Sequence, residues 1–309
     1  MRPTTTLIAV AIVLIHYFLN AQMVFAQAPL PCGTKSTLES RRFYDSIKEE
    51  VKQHERYYLE QYIQGRSINM GTSVPIKAHI IRPSTGDGGL SETVLNDAIA
   101  EMNSYYINAG VEFFLCDGIN YIDDDTYYNI TTSEVPLVLT HNVANMINIY
   151  FARRVYNICG QATLSGAGPF PNILMRNSCV SDGSTLSHEM GHYYSLEHTH
   201  GTSNTTLTDE LVDGSNCETA GDLICDTPAD PKLGTGNVNY SCQYTGSAVD
   251  ANSDPFDPDP RNIMAYGRLS CRDMFSPGQY ARIYGLSQNF LSGLQCPSFN
   301  VDFTADVTQ

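Results

Sequence analysis

The stretch His188-Glu189-Met190-Gly191-His192-Tyr193-Tyr194-Ser195-Leu196-Glu197-His198 constrains this chain more than any other. On a helix, residues four apart project from one face about 6 Å up the axis, so His188 and His192 can offer two imidazole nitrogens to one ion. Glu189 sits about 100° round from His188, within reach of a water on that ion while remaining a poor ligand itself. His198 comes six residues after His192, too far along a straight helix to reach the same point. The helix must therefore break between them, and Ser195 lies where the break belongs.

Three neutral imidazoles leave a tetrahedral zinc one open position, the arrangement of catalytic rather than structural sites. Such an ion lowers the pKa of a bound water from about 15.7 to near 7, and Glu189 is placed to take its proton as it attacks a carbonyl. The chemistry expected of this pattern is hydrolysis of an amide.

The stretch resembles the metzincin signature His-Glu-x-x-His-x-x-Gly-x-x-His, with Ser195 where that family usually has glycine. Glycine suits a turn that wants left-handed backbone, a conformation costing a residue with a Cβ roughly 1 kcal/mol or more. Serine is expected to bear that strain.

At 309 residues the chain has room for one large or two ordinary domains, and its 42% hydrophobic content suits a globular core. The formal charge of −15 disfavours nucleic acid and anionic membranes as partners. Arg2, the apolar run Leu7 to Ile15 and Val24-Phe25-Ala26 read as a signal peptide over residues 1–26, cleaved near Ala26. A membrane anchor is the weaker reading, because the apolar run is short and polar Asn20 and Gln22 follow it. The mature protein is expected to be secreted, soluble and without a membrane anchor. Nine cysteines fit an oxidising compartment and disulfides. Their odd number leaves one over, and Cys32, far upstream of the rest, is the candidate.

Residues 27–70 are charged and helical in composition from Leu38 to Tyr62, and read as a prosegment. Its Leu30-Pro31-Cys32-Gly33-Thr34 offers a thiolate that could take the open metal position, like the cysteine switch of several metzincin families. The alternative, a ninth cysteine that is unpaired or pairs elsewhere, has equal standing here. Activation would need a cut after a basic residue such as Arg56 or Arg66. Val74 to Ile81 reads as a strand, with His79 a strand residue rather than a ligand. Ser91 caps a helix whose Val94, Leu95, Ala98, Ile99 and Met102 share a face, and Gly110 closes it. Strands are expected over Val111 to Leu115 and Ile147 to Phe151. Gln161 to Ser165 and Ile173 to Met175 are short strands that form either an edge for extended substrate or an internal hairpin. Ser184 or Thr185 then caps the helix of His188.

Beyond His198, Asp209 to Gly214 and Cys217 to Pro228 interleave carboxylates with glycine and threonine, which suits calcium or an ordinary solvated loop. His200 reads as a loop residue and Asp254 to Pro260 as a stiff connection. Ser276, Pro277 and Gln279 make a strong helix start, with Tyr280, Ile283 and Tyr284 on one face. Together with the histidine stretch, Cys217 to Pro228, Asn262 to Tyr266 and Phe275 to Gln279 resemble the pappalysin (M43) metzincins over roughly residues 70 to 298.

That resemblance implies an α+β fold over residues 71–298. A mixed twisted sheet and the active-site helix form its upper half, with a Met-turn and a C-terminal helix below and a tail over 299–309. It implies His188, His192 and His198 as zinc ligands, Glu189 as general base and acid, and Met264 as the Met-turn residue under the imidazoles. Tyr266 would stabilise the developing oxyanion, and calcium would sit on Asp222, Asp226 and Thr227. Cys242 with Cys271 is a plausible disulfide in this frame, though connectivity is open in the sequence. The activity implied is a zinc endopeptidase made as a latent zymogen, a monomer acting on protein or peptide. The alternative from another class is a secreted binding or adhesion protein on a retired protease scaffold, which the presence of Glu189 disfavours.

Overall fold

A computed structural model describes residues 30–66 and 71–297. The expected signal peptide and the 299–309 tail lie outside the described residues. The elements, in order, are α1 (Leu38–Ile63), β1 (Thr72–Arg82), α2 (Glu92–Tyr106), β2 (Val111–Asp123), α3 (Asp125–Tyr128), β3 (Asn129–Ile130) and α4 (Val135–His141). There follow β4 (Ile147–Ala152), β5 (Arg154–Val155), β6 (Gly160–Ala162), β7 (Ile173–Arg176), α5 (Thr185–Tyr193) and α6 (Pro277–Gln288).

The main sheet has the order β2-β1-β4-β7-β6, parallel except for β6, which runs antiparallel to β7. β1 is central, and its period-two pattern explains why. Val74, Ile76, Ala78 and Ile80 face one core with α2, α5 and α6, while Ile81 faces a second cluster with Ile122, Leu137 and Leu174. Parallel neighbours need crossovers, and α2 supplies the one between β1 and β2. Ser91 caps α2 as expected, accepting from Val94 N, and Gly110 at φ 69° ends the short 3-10 turn that follows. β2 extends to Asp123 rather than stopping at Leu115. Its second half continues to pair with Ala78 to Arg82 beyond a register shift, pairing that a break in apolar alternation hid from the sequence.

Segment 199–276 carries little regular structure, and disulfides brace it beside a small apolar cluster of Leu233, Val238, Ala265 and Cys271. Cys217–Cys225 and Cys242–Cys271 tie its loops, Cys159–Cys179 braces the approach to α5, and Cys116–Cys296 joins β2 to the residues after α6. The expected Cys242–Cys271 pair is present, and Cys32 is the free cysteine. The Asp254 to Pro260 run is a connection, with one bridge from Val249 to Pro255.

α1 docks on α6. Its Glu55 forms a buried ion pair with Arg282, Tyr44 stacks against the Arg282 guanidinium at 4.6 Å, and Tyr58 lies 5.7 Å from the Tyr284 ring. Val51 fits over Gly285, where an added Cβ would meet its Cγ1 at 3.0 Å. Arg56 lies inside α1 and Arg66 just beyond its end, so Arg66 is the more accessible of the two basic positions for a protease. No helix among the described residues is long and apolar enough to cross a membrane.

Candidate metal centre

α5 is nine residues long and buried throughout, because it runs beneath the sheet edge and above the Asn262 to Tyr266 turn. Neither Ser184 nor Thr185 caps it by accepting through its side chain. Asp182 does so instead, accepting from Thr185 N at 2.9 Å and Ser184 N at 3.3 Å, and a carboxylate is the stronger acceptor at a helix N-terminus. The other end breaks where expected. Ser195 stands at φ 55° in the left-handed region, Leu196 N donates to Gly191 O, and the chain turns back so that His198 meets the first two histidines.

Two carbonyls orient the rings. Ile263 O accepts from His188 Nδ1 and Leu196 O from His192 Nδ1, each at 2.7 Å. A carbonyl cannot donate, so each Nδ1 carries the proton and each Nε2 presents a lone pair. His192 Nε2 then lies 3.1 Å from His188 Nε2, 3.0 Å from His198 Nε2 and 3.5 Å from Cys32 Sγ. Lone pairs facing one another so closely repel unless a cation sits between them. The spacings suit nitrogens about 2.0–2.1 Å and a sulfur about 2.3 Å from one zinc. Burial pushes all three histidines down, His192 to about 4, which keeps the imidazoles neutral as ligands must be.

Glu189 is fully buried. Its Oε2 accepts from Thr34 Oγ1 at 2.8 Å, while Oε1 has no partner. Burial raises its pKa to about 7, a rise moderated by Cys32 and Thr34. Strand β6 passes so close above it that a Cβ on Gly160 would fall 2.6 Å from Glu189 Cγ. The Leu30 to Thr34 segment lies along that edge. Cys32 bridges Gly160 in the parallel sense, Cys159 N donates to Pro31 O, Gly33 N to Gly160 O and Ala162 N to Thr34 Oγ1. The hairpin reading of the short strands holds, since β6 and β7 pair antiparallel, and the outer edge of β6 is filled by the chain's own upstream segment.

Met264 is fully buried under the helix, where a Cβ on Gly191 would meet its sulfur at 2.5 Å. The Tyr266 ring centroid lies 4.6 Å from that of His198, and its buried hydroxyl has no hydrogen-bond partner. His200 is more than a loop residue: it is buried and stacks on His198 at 5.0 Å and 11°. The trio Asp222, Asp226 and Thr227 divides. Asp222 Oδ1 accepts from Thr227 Oγ1 at 2.8 Å, whereas Asp226 turns to the start of α6 and accepts from Ser276 Oγ and Gly278 N. Burial first, then Asp222 and Asp230, push the Glu210 carboxyl up to about 8, and Glu210 Oε2 and Asp222 Oδ2 are both buried without partners. Sequence reasoning missed Thr34 and Asp182, and left Glu210 inside the acidic Asp209 to Gly214 stretch without pairing it with Asp222. Thr34 had a signal, lying two residues after Cys32.

Residues 166–287 match the family model of peptidase M43, described as pregnancy-associated plasma protein-A. That stretch holds α5, the Asn262 to Tyr266 turn and nearly all of α6. The chain is 26% identical over 298 residues to an extracellular metalloprotease of Podospora anserina, covering 85% of this chain and 92% of that one. It is 26% identical over 234 residues to extracellular metalloprotease 1 of Coccidioides posadasii, covering 70% and 76%. Its fold is similar to that of a mutant of Tannerella forsythia promirolysin, with a TM-score of 0.56 and 17% identity over 86% of this chain and 97% of that one. The chain has an α+β fold like that of promirolysin, the M43 match and the metalloprotease relatives support a peptidase, and the zinc that the M43 match implies fits the three-histidine cluster.

Proposed function

We propose that this chain is the precursor of a secreted zinc endopeptidase, held latent by its own Leu30 to Thr34 segment. The observation that carries the proposal is the meeting of His188, His192, His198 and Cys32 within one ion's reach, each offering a single donor atom. His188, His192 and His198 hold the metal, and Cys32 fills the fourth position until residues 27–70 are removed. Zinc, when bound, supplies a positive charge that acidifies a water and polarises the substrate carbonyl.

The remaining work falls to side chains of this chain. Glu189, freed from Thr34, takes the proton of the attacking water and returns it to the leaving amine. Tyr266 donates its unpartnered hydroxyl to the carbonyl oxygen as charge develops there, a role worth roughly 3 kcal/mol for one donor. Met264 supports the ligand helix from beneath Gly191. The edge of β6, once vacated, pairs with extended protein or peptide substrate through main-chain hydrogen bonds. Asp222 and Thr227, with Asp226 near and Glu210 added, are the candidate calcium ligands, supported by the two unpartnered buried carboxylate oxygens. The extracellular relatives and the disulfides support secretion, and we take the enzyme as a monomer.

The test is metal analysis of the processed protein together with casein hydrolysis in the presence and absence of 1,10-phenanthroline. One zinc per chain, with activity lost to the chelator and to Glu189→Gln, is expected. Activity surviving both would rule out this mechanism.

A further inference from the structure

A cavity of about 230 Å³ opens beside the metal centre, between the Leu30 to Cys32 segment, the start of α5 and the loops that carry Lys232 and Tyr266. Arg272 lines it together with His188 and Glu189. This arginine is 9% exposed, and among the described residues its guanidinium makes one hydrogen bond, a long one from Nη1 to Ala265 O at 3.3 Å. Its Nε is buried with no partner, and it enters no ion pair among the described residues.

Of the carboxylates acting on Arg272, Asp182 is engaged by the start of α5, and Glu189 accepts from Thr34 through Oε2 and makes no hydrogen bond to the arginine. Lys232 brings a second cation to the same cavity, its ammonium 5.9 Å from the Tyr266 ring centroid. Leu233 and Leu269 supply apolar wall, and Leu30 and Pro31 cover the cavity in the precursor and leave with residues 27–70. On a chain of formal charge −15, two cations at one apolar-walled cavity are a local reversal of sign. A buried guanidinium with unmade hydrogen bonds is costly unless an anion completes it.

We propose that Arg272, assisted by Lys232, forms a carboxylate-binding subsite that selects peptide substrates with aspartate or glutamate next to the cleaved bond. This rests on the peptidase reading above. The guanidinium fork accepts a carboxylate through two parallel hydrogen bonds, and the cavity accommodates a side chain of that size. Arg272 is thus a specificity residue, distinct from the groups that move protons.

The experiment is cleavage of a peptide library by the processed enzyme, followed by matched peptides that carry Glu, Gln, Ala or Lys at the favoured flanking position. A kcat/KM for Glu about tenfold or more above Gln is expected, the size of one charge-assisted hydrogen-bonded pair. Arg272→Gln brings that ratio to near one with zinc content retained, and Lys232→Gln lowers it by less. Equilibrium binding of the Glu and Gln peptides to the processed Glu189→Gln protein should show the same order. A wild-type enzyme that cuts peptides with no acidic preference on either side of the bond overturns this inference and leaves the peptidase reading standing. A protein that binds no zinc and cuts nothing overturns the peptidase reading, and the binding measurement still decides this one. If Arg272→Gln fails to fold, the wild-type ratio and Lys232→Gln decide.

Discussion

Thr34 Oγ1 donates to Glu189 Oε2 at 2.8 Å, so the segment that brings Cys32 to the metal centre also occupies the carboxylate that would have to move a proton. On the proposed function, latency has two locks. Cys32→Ala should raise hydrolysis of a fluorogenic peptide by the uncut precursor, and Cys32→Ala/Thr34→Val should raise it about tenfold further, the worth of a hydrogen bond to a charged group. A double variant as silent as the wild type would show that neither contact enforces latency.

Gly191 lies between His188 and His192 on α5, and a Cβ there would sit 2.5 Å from Met264 Sδ, well inside contact distance. Gly191→Ala must push Met264 or α5 aside, and overpacking of this kind costs about 1–3 kcal/mol. The expected result is a thermal midpoint lower by several degrees and weaker zinc retention on dialysis against a mild chelator. A variant as stable and as zinc-replete as the wild type would show that the turn gives way freely.

Much of this centre could be read from spacing alone. Histidines 188 and 192 four apart on a helix, with a break at Ser195, left His198 a single way to come round, and the structure adopts it. The turn at Gly110, the cap at Ser91 and the start at Ser276 were equally local, each a residue type answering its own backbone. What escaped was contact between distant segments. Thr34 touches Glu189 across 155 residues, Arg272 reaches the metal cavity through a loop fold that no periodicity encodes, and β2 runs on to Asp123 because β1 pairs with it. Asp182 displaced the expected hydroxyl cap because carboxylate and hydroxyl compete for the same amides, and tertiary placement decides between them.

Ser195 at φ 55° bears a cost that glycine would not, of roughly 1 kcal/mol or more. Ser195→Gly should therefore keep peptidase activity and unfold at a slightly higher urea concentration. Ser195→Val should lose zinc, since a β-branched residue resists left-handed backbone and the Leu196 carbonyl that orients His192 follows directly. An active valine variant with full zinc occupancy would show that the turn is not so constrained.

His79 is fully buried between β2 and β4, stacked 4.2 Å from the Tyr150 ring. Asn148 is oriented by its neighbours: its Nδ2 donates to the Val143 and Met146 carbonyls and its Oδ1 accepts from Val143 N. That oxygen therefore accepts from His79 Nε2 at 3.0 Å, leaving His79 Nδ1 to accept from Asn120 Nδ2 at 2.9 Å. A second proton would set Nδ1–H against an amide donor, and burial already lowers the pKa from 6.5 to about 4. The native state thus binds fewer protons than the unfolded chain between those values, so this residue's contribution is full above pH 6.5 and is lost as pH falls toward 4. The loss amounts to roughly 3 kcal/mol if the whole shift is expressed. Urea unfolding at pH 7 and pH 4.5 should show His79→Gln less stable than wild type at pH 7, with much of that gap closed at pH 4.5. A gap of constant size across the two pH values would mean that His79 titrates in the folded protein much as it does in the unfolded chain.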